Sequence, residues 1–335
     1  MGMETSEWYN TQILVGFTGK LGFAWHYKKH LQGLESNHYE GAIPVEDVIR
    51  RLFSWQAEEA PLFVQLSGEQ KLIADRKAIV RSDNGDVLGV FKDSYKPHQF
   101  DKWLLEDTAN MLDDNLQIGS AGLLKGGAIA WVSIESPESV TVLEGFDVRP
   151  KLLATTSHNG SIATTHKLVQ TFVVCDNTHM TAMSEDTPTF RTRHSKNSES
   201  RISRAREALG ILQSSTANVV AEVTALANTK VSDAEWNAII NRIVPIGAEG
   251  EVRQQSISKA ENKQEQLRWL YKNDERVSQW AGSLLGVSQA FSTYAQHVSG
   301  KDSNRVERNM MNMVTGKVET AHAEVMRIAK DLVLA

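Results

Sequence analysis

Apolar and polar positions alternate with two different periods along this chain, and the change of period divides it. PVEDVIRRLFSWQAEEAP sets Val45, Val48, Leu52 and Trp55 at 3.6-residue spacing, with Pro44 in front and Pro61 behind, which predicts a helix between the two prolines. From Pro61 the period drops to two. PLFVQL and KAIVRSDNGDVLGVF predict short strands, and Asn84-Gly85 predicts a type I′ hairpin turn, whose two central residues both need φ > 0. HQFDKWLLEDTANMLDD returns to helical spacing, with Phe100, Trp103, Leu104, Met111 and Leu112 on one side. AIAWVSIE predicts another strand, and SHNGSIATTHKLVQTFVVCDNTHM a long hairpin turning at Asn159-Gly160.

After about residue 198 the pattern is helical. Ile202, Ala205, Leu209 and Leu212 make an apolar stripe, and 232–243, 259–285 and 304–333 are helix-prone. Pro245 and Ser299-Gly300 punctuate them. The pattern therefore predicts an α+β fold: an antiparallel, hairpin-rich sheet with packed helices, followed by a mainly helical C-terminal region. Its expected divisions are an irregular N-terminal arm over 1–40, an α+β core over 41–185, a basic linker over 186–200 and a helical region over 201–335.

Composition bounds the class. In 335 residues, 41% are hydrophobic and 23% charged, ordinary values for a globular protein. No apolar stretch approaches the roughly 20 residues that span a bilayer. The first ten residues offer neither a basic stretch nor an apolar one to serve as a secretory leader. With one cysteine no disulfide can form within the chain, so a reducing, cytoplasmic setting is expected.

The hairpin segment gathers Cys175, His158, His166 and His179, so a Cys–His catalytic pair has to be considered. A two-residue turn at Asn159-Gly160 pairs His158 with Ser161 and Leu153 with His166. The returning strand then puts Ile162, Thr164, His166 and Leu168 on one face, and Lys167 and Cys175 on the other. The fourteen residues from Ser161 to Cys175 span more than about 40 Å as a strand, out of hydrogen-bond reach of His158. Cys175 reads as structural. There is no CxxC or HExxH, so no metal is expected, and no other cofactor. GSAGLLKGGA has glycines at P-loop spacing, but Ala128 stands where the lysine belongs, so a glycine-rich turn is the better reading. No catalytic motif emerges, and an enzyme is not expected.

The net charge of −5 does not advertise a polyanion partner, but its distribution does. Arg191, Arg193, Lys196, Arg201, Arg204 and Arg206 against Glu199 alone give six minus one, or +5, in sixteen residues. Interleaved Ser, Thr and Asn with nearby Phe190 suit phosphate contact and base stacking. Arg191, Arg193, Lys196, Arg201 and Arg204 are the leading nucleic-acid candidates. Lys96, Lys125 and Lys167 are weaker ones on the sheet side, Lys167 because the predicted alternation leaves it on an outer face. Tyr95, aromatic and next to Lys96, is a candidate stacking platform.

RSDNGDVLGVFKDSYKPHQF, SAGLLKGGAIAWVSIE, LLATTSHNGSIATTHK, VVCDNTHM and REALG together resemble, in this order, the phage/plasmid-like protein family of unknown function. The family's Pro-Trp-His-Gly-Leu-Gly string is replaced here by Ala24-Trp25-His26-Tyr27, and Phe100 follows Gln99 where the family often has Asn. The resemblance implies a mobile-element origin and brings no catalytic residues. The layout is also similar, at fold level only, to phage single-strand annealing proteins of the RecT, Erf and Redβ kind. That analogy implies an ATP-independent, single-stranded DNA-binding and annealing protein working as a ring or helical homo-oligomer. A phage exonuclease or a host single-strand-binding protein would be a further partner. The alternative is a non-enzymatic interaction or host-modulating assembly factor of a mobile element, docking through its helical C-terminal region.

Overall fold

The computed structural model describes residues 11–17, 35–106, 117–135, 140–143, 146–172, 178–179, 189–192, 220–247, 253–301 and 305–334. A short strand, β1 (Ile13–Val15), lies in the stretch expected to be irregular. Helix α1 (Val45–Leu52) follows Pro44, which stands at its N-cap, and ends well short of Pro61. The reason is β2 (Ala57–Leu66), which runs through Pro61. β2 is an edge strand, where a proline's missing N–H need not cost a ladder bond. The turn into β3 (Glu69–Arg81) is Ser67-Gly68, with φ of 51° and 88°, the type I′ geometry expected instead at Asn84-Gly85. Before β4 (Val87–Lys92) only Gly85 has positive φ, and Arg81 N donates to Asp86 O across a four-residue loop.

A π-helical turn at Asp101–Glu106 follows where the spacing predicts an amphipathic helix. Four strands come next: β5 (Gln117–Leu124), β6 (Ile129–Glu135), β7 (Val140–Leu143) and β8 (Phe146–Ser157). They continue with β9 (Thr164–Phe172), β10 (Thr178–His179) and β11 (Thr189–Thr192). The helical region comprises a segment over 220–228, α2 (Asp233–Ile243), α3 (Gln254–Asn273), α4 (Leu284–Thr293), α5 (Arg305–Thr315) and α6 (Lys317–Val333). The single helix expected over 259–285 is broken after Asn273, and that over 304–333 at Gly316, which has φ of 77°. Ser232 and Glu235 close a capping box at the start of α2. No described helix is long and apolar enough to cross a membrane.

The fold is α+β. An eight-stranded antiparallel sheet runs β1-β5-β6-β8-β9-β10, with β7 on β8 and β11 on β9, and β2-β3-β4 form a second sheet. Every residue of β6 is buried, so the large sheet is covered on both faces. Ala130 and Val132, with Ala121, Leu123 and Ala154, pack under Val48, Leu52, Phe53, Trp55, Ile79, Phe100 and Leu104. Ile129 and Trp131, with Ile13, Leu124 and Leu153, pack under Val314 of α5 and its neighbours Met310, Met311 and Met313. A third core joins the helices around α4, all ten of whose residues are buried; Trp236, Tyr271, Leu285, Val287, Val325 and Met326 meet there.

The β8–β9 hairpin departs from its predicted register by one residue. Leu153 pairs with Lys167, and Ala154 with His166. The two-residue turn is replaced by a longer connection between Ser157 and Thr164. Within it Ser157 Oγ donates to Ile162 O and accepts from Ile162 N, while Asn159 Oδ1 accepts from Ser161 N.

Candidate nucleic-acid interface and buried polar sites

The basic run begins on the sheet. Phe190, Arg191 and Thr192 of β11 pair with His166, Thr165 and Thr164 of β9, in the antiparallel sense. Among the described residues β11 has no neighbour on its other side, so it is an edge strand. Arg193, Lys196, Arg201, Arg204 and Arg206 lie outside the described residues, as does Cys175.

Two of the sheet-side candidates, Lys167 and Tyr95, are placed differently from expectation. Lys167 is not on an outer face but buried beneath the C-terminal helices. Its Nζ lies 3.8 Å from Glu319 of α6 and donates to Met313 O at 3.4 Å. A cation that reached solvent there would have to displace α5 and α6. Tyr95 is no open platform either. Its ring stacks on Phe91 at 3.9 Å, its hydroxyl donates to Ser157 O at 3.3 Å, and burial raises its phenol pKa. Lys96 is half-exposed, with Nζ donating to Glu59 Oε1 at 2.8 Å, so much of its charge is already answered. Lys125 is exposed, at the head of the β5–β6 turn, with φ of 50°. That confirms the glycine-rich turn. Beside it Arg81 donates to Gly126 O and lies over Trp55 at 4.1 Å.

Two buried polar groupings are brought together from distant stretches. His98 Nδ1 is 2.7 Å from Thr164 Oγ1, which is 2.8 Å from Thr156 Oγ1, and His98 stacks on Trp103 at 3.8 Å. His158 is fully buried, stacked on Phe100 at 3.9 Å and edge-on to Trp55 at 5.9 Å. His158 N donates to Ala128 O. These side chains bind the segment between the two sheets to the β8–β9 hairpin. A hydroxyl–imidazole contact is the start of a nucleophile–base pair, but here both partners are sealed from substrate.

The second grouping is ionic. Glu135 ends β6 and is 1% exposed; Lys151 faces it across the β6–β8 pairing at 3.1 Å, and Arg149 reaches it at 3.8 Å. Arg149 also lies 5.0 Å from the centre of the Phe17 ring. Gly119, at the bulge of β5, leaves the space that the Glu135 carboxylate fills. A buried carboxylate needs such partners, because the desolvation penalty of a lone charge is several kcal/mol. The sequence contains a signal of this cluster, an acid at the end of a strand that is apolar but for Ser133. It becomes legible only with the register that sets Lys151 opposite.

Among the described residues no three His, Cys, Asp or Glu side chains are grouped to hold a metal ion. His179 pairs with Gln170 in the sheet.

No curated protein and no solved structure matches this chain. Residues 87–323, from β4 into α6, match a family described as a domain of unknown function (DUF932). That stretch takes in most of the large sheet, the basic run and the helical region. The match covers well over half of the chain, which therefore belongs to the DUF932 family.

Proposed function

We propose that the chain is a phage-encoded single-stranded DNA-binding and annealing protein, independent of ATP and working as a homo-oligomer in the host cytoplasm. The supporting observation is that the densest cationic segment begins on β11, an edge strand hydrogen-bonded to β9. A basic segment whose backbone starts from a hydrogen-bonded edge strand offers a polyanion a run of cations in sequence, the pattern that tracks a phosphate backbone. Arg191, Arg193, Lys196, Arg201 and Arg204 form this binding segment, and exposed Lys125 is an auxiliary contact. Lys167 and Tyr95 are left out because both are occupied inside the fold. Backbone contact leaves base edges free to test a second strand, which is what annealing requires. The mobile-element origin comes from the resemblance in the motifs above.

The test is binding of labelled single-stranded and duplex oligonucleotides across a salt series, then annealing of complementary strands without ATP. Changing Arg191, Arg193, Lys196, Arg201 and Arg204 together to Gln should lower the slope of log K against log salt by about 3 to 4, at roughly 0.7 for each phosphate no longer neutralised. Absence of single-strand binding at low salt would refute the function. An unchanged slope would refute the site. The alternative, a protein-interaction factor docking through the helical region, draws on Trp269 of α3, which is 58% exposed; it is favoured if no nucleic acid binds.

A further inference from the structure

β4 pairs with β3 only from Arg76 to Val80. Beyond that point, after a register shift that leaves Ile73–Arg76 without a partner on β2, β2 and β3 pair again from Phe63 opposite Leu72 to the Ser67-Gly68 turn as a two-stranded ribbon. All of residues 61–76 are exposed except half-buried Leu62 and Ile73. Phe63 is 52% exposed, Leu66 66% and Leu72 51%. Two strands alone in water are marginal; three or more with an apolar face are needed for independent stability. Among the described residues no further strand pairs with the ribbon.

Its two edges are not equivalent. The β3 edge of the ribbon carries Glu69, Lys71 and Asp75, the charges with which natural sheets discourage edge pairing. The β2 edge from Ala60 to Leu66 reads APLFVQL and carries no charge. Its start is already plugged. The Gln99 amide accepts from Ala57 N and donates to Ala57 O, both at 2.9 Å, imitating a strand. No described residue does the same beyond that point, and among the described residues no strand pairs with the outer side of β2.

We propose that two copies of the chain associate by antiparallel pairing of their β2 edges over Ala60–Leu66, making one four-stranded ribbon across the dimer. The occupant follows from charge. Every antiparallel register of this stretch on itself sets uncharged side chains side by side. Pairing β2 with the β3 edge of a second copy would instead set apolar side chains against Glu69, Lys71 and Asp75. Phe63, Val64 and Leu66 find cross-strand partners of their own kind, and the unused N–H and C=O groups on the β2 edge find theirs. The pairing is independent of nucleic acid, so its failure and a failure of strand binding are separate results.

The experiment is light scattering after gel filtration on the full chain without nucleic acid, from about 1 to about 100 µM, the range of modest interface affinities. The chain should reach a multiple of its 37.3 kDa mass, and Val64→Lys should lower that mass or raise the dissociation constant at least about tenfold. Lys71→Glu, on the guarded edge, should leave association unchanged. If Val64→Lys fails to fold by circular dichroism, Leu66→Lys at the ribbon tip replaces it. A mass of one chain throughout overturns the proposal. So does an oligomer that the β2-edge lysine leaves intact, or one that Lys71→Glu dissolves equally.

Discussion

Acidification should weaken the helical region through one buried imidazole, and the size of the effect follows from its surroundings. His322 on α6 is 9% exposed, and its Nε2 lies 2.9 Å from Ser288 Oγ on α4. Burial, with the charge of Lys330 adding to it, pushes its pKa down to about 4. Glu222, on the neighbouring helical segment, is itself raised by burial and drawn back by Lys330. In the unfolded chain the same imidazole takes its proton near 6.5. Between these values the unfolded state binds more protons, so stability is intact above pH 6.5 and is lost as pH falls towards 4. At pH 4.5 the loss works out at about 2.5 kcal/mol. His166 is likewise lowered to about 4 by burial and falls in the same window, so the wild-type curve alone does not isolate His322. His322→Gln does, because Gln can keep a bond to Ser288 and cannot be charged. Urea unfolding followed by circular dichroism at pH 7, 5.5 and 4.5 measures the difference between the two proteins. At pH 7 the variant should be less stable by up to about 1 kcal/mol. At pH 4.5 the difference should have moved about 2.5 kcal/mol in the variant's favour. A difference constant to within about 0.5 kcal/mol across this range would refute the assignment.

Two substitutions test the placement of charges in the sheet. Lys167→Met removes the buried ammonium beneath α5 and α6 and leaves Glu319, which is partly exposed; it should cost about 1 to 2 kcal/mol by thermal unfolding while leaving single-strand affinity within about twofold. Unchanged stability with a tenfold affinity loss would put Lys167 back in the interface. Gly119→Ala drives a methyl group into the Glu135 carboxylate and should cost about 3 kcal/mol, and in a Glu135→Ala background clearly less, because the two changes share one space.

Much of the fold is legible in the sequence because β-strand alternation and turn residues are local signals. AIAWVSIE, the two flanking hairpins and the helical third can be read from short windows. What is not legible depends on contacts between windows. The helix expected after Pro44 is too long because Pro61 reads as a stop, whereas an edge strand accepts it. Ser67-Gly68 is a weaker turn signal than Asn84-Gly85, yet it is Ser67 and Gly68 that carry paired positive φ. The buried ion cluster escapes a sequence reading because Glu135, Arg149 and Lys151 share a face only after β6 and β8 pair.

Lys167 shows how a small error in register meets a larger one in layering. With Leu153 opposite His166, Lys167 falls on the face away from Leu153; with the observed one-residue shift it lies opposite Leu153, on the face that holds Trp131 and Val314. In a strand a slip of one exchanges the faces completely. Yet correcting the slip does not by itself show Lys167 to be buried, because alternation says which residues share a face and not whether that face is wet. The sheet is covered by α1 and the small sheet on one side and by α5 on the other, so it has no outer face at its centre. Antiparallel sheets commonly keep one face in water, and that expectation makes Lys167 look available. For the proposed nucleic-acid contact, the centre of the sheet is thus excluded and cations are to be sought where the sheet ends. β11 is such an end, and the basic run starts on it.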